Sequence, residues 1–521
     1  MSTTTRSRRF FSTTAATLLA MAVVTGCGGV DVTDPNAAAA NSATQTETGT
    51  DAAGTGTTGT DTTIPGTTGT DATVPGAGAA PGTDTTIPGT TGTAGQTGGQ
   101  GGKGTAGNGT TTGGATGAAA VENIVKNSAI FGGTAACRPA TLSPVNIGNV
   151  STLSGVLGEL LGPVKTALQT FVASQNACGG LNGHKINFFI ADDQGDPSTA
   201  ASKVQELVQK NKVIAFVGNI QVLTIDGIIP TINRLGVPLV GGDITNNTWF
   251  TNKLAFPQGP GPQAVSYGHL VGAVQYHKKT RVGNIVCIEV PRACEQINRA
   301  VKELAPKMGA QFVMERQVSI TQPSYVSECL ALKNANVEAL IMSIESASMA
   351  RLASSCSSVG YYPKLMAYPL SLGNEKHFLG PKWLANTYVP NNVFPWMGNN
   401  TPAEKYFQAM MRKYSPGVDK GGAQSLGWTA GAMLVAASAN LSPANPTTQQ
   451  LLDTLWLFQG QKFTELGGLS GPKFFYKDKN PRVPYCLFAA VSNADNSGWN
   501  NPAAAPTCTN LVAPSDPQAG G

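Results

Sequence analysis

Residues 181–209 read LNGHKINFFIADDQGDPSTAASKVQELVQ. Ile186–Ile190 is nearly all apolar and short, which predicts a strand covered on both faces. Asp192, Asp193 and Asp196 follow, three acids within five positions. Such a cluster suits a metal site, a catalytic pair or the start of a helix. Asp196-Pro197 favours the helix start. Asp at the N-cap accepts a free backbone N–H, and Pro at the first helical position lacks the N–H that would go unpaired. Asp192 and Asp193 are neighbours on extended backbone, so their side chains leave on opposite sides and do not converge on a shared proton or metal. The stretch therefore reads strand, turn, helix, one half of a βαβ unit.

The same texture runs outward from it. Val145–Val150, Val213–Val217, Pro238–Val240, Ile285–Ile288, Gln311–Met314, Ala339–Met342 and Lys364–Ala367 are further strand candidates. Segments with helical spacing lie between them, for example Val164, Leu168, Phe171 and Val172. Short apolar strands alternating with amphipathic helices predict parallel sheets covered on both faces. Eight strands exceed one ordinary sheet, so an α/β chain with two Rossmann-like lobes and a cleft between them is expected.

The N-terminal part is different. Of the 521 residues, 62 are glycine and only 12% are charged, and the imbalance sits between Gly28 and Ala120. GTDTTIPGTTGT occurs there twice, at residues 59–70 and 82–93. Little apolar surface is available to offset ordering entropy, so residues 28–120 are expected to be a disordered linker. The glycine-rich GQGGKGT lacks the glycine a phosphate loop needs, with Thr97 in its place and no strand ahead of it. Residues 1–27 carry a basic start (Arg6, Arg8, Arg9), an apolar run ending near Val24 and a small-residue site before Cys27. That run is shorter than the roughly 20 residues of a membrane span. Val24-Thr25-Gly26-Cys27 resembles the lipobox of bacterial lipoproteins, which implies lipidation of Cys27. Ser7-Arg8-Arg9-Phe10-Phe11 also resembles a twin-arginine signal, and a plain basic start explains the arginines equally. A flexible tether of this length reaches about 50–60 Å, enough to hold a domain clear of a membrane.

Eight cysteines remain besides Cys27, an even number that suits an exported, disulfide-bonded chain. Sequence alone does not fix their connectivity; pairing of neighbours would give 137–178, 287–294, 329–356 and 486–508. No C-x-x-C and no Cys–His spacing suggests zinc. The net charge of +5 is unclustered and does not indicate nucleic acid. The four histidines are scattered, and neither H-E-x-x-H nor G-x-S-x-G is present.

Residues 143–500 resemble the type I periplasmic binding proteins, nearest the branched-chain amino acid receptors of ABC transporters. The resemblance rests on features in order: the Ser154-Gly155 turn, Gly179-Gly180-Leu181-Asn182-Gly183, the D-x-x-x-D-P turn from Asp192, Val217-Gly218, and Gly236-Val237-Pro238-Leu239-Val240. RVGNIVCIEVPRACEQINRAV and SLGWTAGAML follow later. It implies two lobes joined by three crossovers, lobe one near 143–265 and 397–465, lobe two near 266–396 and 466–500, within a domain from 121 to 521.

The resemblance also implies a ligand site after the strands: Ser154, Gln221, Val222, Asp243, Ile244 and Thr245 in lobe one, with Arg292, Glu345 and Tyr368 in lobe two. Thr245 matches a threonine that holds the ligand carboxylate in the family. Val222 stands where amino acid binders have serine, Glu345 where they have tyrosine, and the ammonium-reading glutamate is replaced near Tyr368. Either Glu345 or Asp243 meets an ammonium, or the ligand has none. The expected function is that of a non-enzymatic, lipid-anchored, extracytoplasmic solute-binding protein, without cofactor, delivering a small polar ligand (an amino acid or related carboxylate or amide) to an ABC permease. The alternatives are a ligand-sensing receptor of the same fold and, behind it, an extracellular hydrolase using Asp192 and Asp193.

Overall fold

The computed structural model describes residues 116–155 and 157–519. The expected export signal, Cys27 and nearly all of the expected linker lie outside these residues. Lobe one opens with α1 (Ala118–Asn127), β1 (Leu142–Ser151), α2 (Gly158–Leu161), α3 (Pro163–Asn176), β2 (His184–Asp192) and α4 (Pro197–Gln209). It continues through β3 (Ala215–Asn219), α5 (Ile225–Leu235), β4 (Leu239–Gly242) and β5 (Ala255–Phe256). These strands form a parallel sheet ordered β2-β1-β3-β4-β5.

Lobe two contains α6 (Pro262–Leu270), β6 (Arg281–Cys287), α7 (Pro291–Leu304), β7 (Gln311–Val318), α8 (Val326–Asn334), β8 (Ala339–Ser343) and α9 (Ser346–Ser358). After β9 (Lys364–Ala367), α10 (Glu375–Phe378) and β10 (Tyr388–Asn391), the chain returns to lobe one for α11 (Pro402–Tyr414), α12 (Gly422–Ala437) and α13 (Thr448–Leu455). It ends in lobe two with β11 (Tyr485–Val491) and β12 (Thr507–Thr509). The second sheet is ordered β12-β11-β10-β9-β8-β6-β7, parallel from β10 to β7 and antiparallel at the β11 and β12 edge.

All eight strands expected from the apolar runs are present, with ends shifted by a few residues. The opening stretch behaves as its residues dictate. Asp196 accepts from Thr199 N at 2.6 Å and caps α4, with Pro197 at its first turn. Those hydrogen bonds, led by the Ser198 hydroxyl, hold its carboxyl down to about 2. Asp192 and Asp193 diverge. Asp192 accepts from the Leu153 and Gln194 amides, while Asp193, fully buried, accepts from the hydroxyls of Thr152 (2.7 Å) and Thr224 (2.6 Å). Both acids tie loops together, and neither lines the cleft cavity described below.

Helix α12 is buried along its whole length against α3, β3 and β4, with Trp428 edge-on to Phe171. A helix without charge, buried on every side, belongs to a core, not a surface. The chain passes between lobes three times, and the passages are hydrogen-bonded to one another. Asn392 Nδ2 donates to Pro260 O at 3.3 Å, and Phe394 N donates to Leu469 O at 2.8 Å. Lys473, on the third passage, is fully buried and donates to Thr464 O, Ser470 Oγ and Gly471 O. Burial brings its pKa down to about 7.

Three of the four cysteine pairings that neighbours would make are present, 137–178, 329–356 and 486–508. The fourth is not. Cys287 and Cys294 are free thiols with Sγ atoms 3.8 Å apart, well beyond the roughly 2.05 Å of a disulfide. Cys287 ends β6 and Cys294 sits one turn into α7.

Candidate functional site

A cavity opens where the C-terminal ends of both sheets face each other. Lobe one contributes Leu157, Leu161, Val222 and Thr245, from the segments after β1, β3 and β4. Lobe two contributes Val290, Ala293, Cys294 and Ile297 near the start of α7, then Ile320, Ile344 and Glu345. Cys287, Ser343, Tyr368, Leu370 and Ser371 complete the wall. Strand ends leave backbone groups and loop side chains free of the sheet, which is why ligands of open α/β sheets collect there.

Thr245 is aimed by its neighbours. Asp243 N donates to Asn219 O, and the Asp243 carboxylate accepts from Gln221 N (2.8 Å), Thr245 N (3.1 Å) and Trp249 Nε1 (3.0 Å). Between them Ile244 adopts φ 44°, a left-handed conformation that a β-branched residue rarely takes and that marks locally stored strain. Gly242 has no room for a side chain, because a Cβ would meet Asn219 O at 2.2 Å and the Trp249 ring at 2.3 Å. Asp243 is fully buried, and burial pushes its carboxyl up to about 6 in spite of its donors. The Thr245 hydroxyl lies near this carboxylate yet has no hydrogen-bond partner of good geometry.

Tyr368 faces it from lobe two. Its ring is 4% exposed and its hydroxyl has no partner. Burial, then the Asp243 charge, pushes that hydroxyl's pKa upward. Behind it lies His269, ring centroids 6.2 Å apart, fully buried and lowered to about 4 by burial against the opposing Ala367 backbone. Glu345 reaches the cavity wall but acts as the N-cap of α9, accepting from Ala347 N, Ser348 N and the Ser348 hydroxyl.

The remaining expected residues are placed elsewhere. Ser154 is exposed beside Asp192. Gln221 is buried behind the wall with its Nε2 unpartnered. Ile244 is buried in lobe one. Arg292 does not line the cavity and instead pairs with Asp226. Leu157, Leu161, Ile297, Ile320 and Leu370 were not singled out from the sequence, because an apolar residue near a strand end reads the same whether it faces core or cleft. Among the described residues, no group of three or more His, Cys, Asp or Glu is placed to hold a metal ion, and no helix is long and apolar enough to cross a membrane.

The family model for periplasmic binding proteins matches residues 144–496. The chain belongs to the periplasmic binding protein family. Its two lobes and interlobe cavity are those of the type I periplasmic binding protein fold. A fatty acid ABC transporter substrate-binding protein from Thermomonospora curvata superposes with TM-score 0.57 at 18% identity, covering 73% of this chain and 97% of that one. A branched-chain amino acid transporter substrate-binding protein from Streptococcus pneumoniae, in complex with isoleucine, gives TM-score 0.55 at 14% identity, covering 70% of this chain and all of that one. At such identities these periplasmic binding proteins show the shared fold alone. A chemotactic signal transduction system substrate-binding protein from Halobacterium salinarum is 35% identical over 77 residues, 14% of this chain. The match spans only 19% of that relative's length.

Proposed function

We propose that this periplasmic binding protein is the extracytoplasmic solute receptor of an ABC importer, tethered by a lipid on Cys27 through the residue 28–120 linker. A small molecule bridges the lobes, and the closed form is what the permease recognises. The observation that carries this proposal is the cavity itself, walled by Thr245 and Val222 from one lobe and by Tyr368 and Ile297 from the other. The lobes also touch outside it: Asn247 N donates to Gln296 Oε1 at 3.0 Å across the cleft. Asp192 and Asp193 are each consumed by structural hydrogen bonds, which speaks against a hydrolase built on them.

A receptor that signals instead of transporting is the second proposal, favoured by the partial match to a chemotactic substrate-binding protein. Deletion of this protein's gene separates the two: solute uptake is lost under the first, whereas under the second uptake continues and the response to the solute is lost. A thermal-shift screen of amino acids, small acids, amides and ketones tests both. A solute at 100 times its Kd adds about 2.7 kcal/mol to stability. Absence of any shift across the screen contradicts solute capture.

A further inference from the structure

We propose that the cleft selects a neutral, mainly apolar solute with one hydrogen-bond acceptor, such as a carbonyl, and rejects amino acids and other zwitterions. This rests on the solute-binding function proposed above and names the ligand class within it.

The walls are the first ground. Leu157, Leu161, Val290, Ile297, Ile320 and Leu370 make the cavity predominantly hydrocarbon, so most of a ligand's surface is buried against apolar side chains.

The polar groups are the second ground. Thr245 and Tyr368 line the cavity and their hydroxyls are buried; that of Tyr368 lacks a partner, and that of Thr245 has only the poorly aligned Asp243 carboxylate beside it. A buried hydroxyl without a partner is unfavourable, and an acceptor on the ligand would satisfy both as donors.

Charge is the third. The carboxylates near the site already have donors. Asp243 accepts from Gln221 N, Thr245 N and Trp249 Nε1, and Glu345 from the α9 amides and the Ser348 hydroxyl. An ammonium would meet only Glu345 at the wall, and both of its oxygens are already engaged by the α9 amides, with Arg351 beside them. A ligand carboxylate finds no cation either, since none of the described lining residues is Lys, Arg or His. Arg292 is turned to Asp226, and Arg351 to Ile320 O, Ser348 Oγ and Glu345. An unpaired ion buried in such a place is strongly disfavoured, the more so for an anion beside Asp243 and Glu345.

The test uses the full chain and matched solutes sharing one carbon skeleton: isocaproamide, isocaproate and leucine, then phenylacetamide, phenylacetate and phenylglycine. Calorimetry is expected to show each amide binding at least about tenfold tighter than its carboxylate, with no measurable binding of the amino acid. Thr245→Val and Tyr368→Phe should each weaken the amide while leaving the fold intact by circular dichroism. Leucine or phenylglycine binding as tightly as its amide overturns the ligand class and leaves solute capture standing. So does a wider screen in which only charged or zwitterionic solutes bind. If no solute of any class binds, solute capture itself fails, and this inference with it.

Discussion

Arg292, on the first turn of α7 in lobe two, forms an ion pair with Asp226, on the first turn of α5 in lobe one. Asp226 is held in turn by the Thr248 hydroxyl at 2.5 Å. The pair bridges the two lobes, so a hinge opening that separates them would break it. Its side chains remain 59% and 42% exposed, so solvent screens it and its contribution is on the order of 0.2–1 kcal/mol. Arg292→Gln is therefore expected to weaken solute binding no more than about fivefold, and raised salt should do the same to the natural protein but not to the variant. Titrations at low and high ionic strength check this; a large loss, or equal salt sensitivity in both proteins, would contradict the latch.

The unpartnered hydroxyls give an opposed pair of effects. In Thr245→Val and Tyr368→Phe, ligand affinity should fall by about 1 kcal/mol each, while the empty protein should melt no lower than the natural one, because a buried unsatisfied group has been removed. Thermal melts with and without solute separate the two readouts. A lower melting temperature for both empty variants would show that the hydroxyls serve the fold.

Strand and cap positions were legible in the sequence because they depend on local rules. The D-x-x-x-D-P turn needs only its own residues to cap α4, and the apolar runs mark covered strands wherever the sheet lies. What a polar side chain touches is a tertiary matter. Glu345 was expected at the ligand and does reach the cavity wall, but its oxygens cap α9. Arg292 has its partner in the other lobe, 66 residues away in sequence. Helix α1 escaped notice because its alanines continue the composition of the preceding linker, and only Ala120 and Val121 of its residues are buried. At the antiparallel edge of lobe two, β12 leaves no apolar signal because it is three residues long and largely exposed.

His269 sets a pH dependence. Its folded pKa of about 4 lies below the ordinary 6.5, so the unfolded chain binds the extra proton between these values and stability falls as pH drops through that window. The contribution is on the order of 3 kcal/mol as an upper bound for a fully buried imidazole. Asp243 acts in the opposite sense. Raised from 3.8 to about 6, it favours the folded state at low pH and loses that contribution as pH rises through 6. Denaturant titrations from pH 7 to 4 should show His269→Gln losing less stability on acidification than the natural protein. Equal losses would contradict a neutral buried His269.

The thiols report occupancy. Cys287 and Cys294 both line the cavity, and the hydrogen bond between them lowers the Cys287 pKa. A small alkylating reagent should therefore react at Cys287 first, more slowly when a stabilising solute is present. Peptide mass spectrometry reads this directly; an unchanged rate with solute bound would show that the reagent arrives from the second hollow that both thiols line, beside Arg299 and Gln317, and not through the cleft.

The central claim is closure of two lobes over a solute, and the distance across the cleft tests it most directly. Spin labels carried by non-natural amino acids at Leu223 in lobe one and Ile288 in lobe two, both exposed, report that distance by pulsed electron resonance. A broad, longer distribution in the empty protein should collapse to a short, narrow one when a stabilising solute is added. A distribution that does not change with solute would contradict the account.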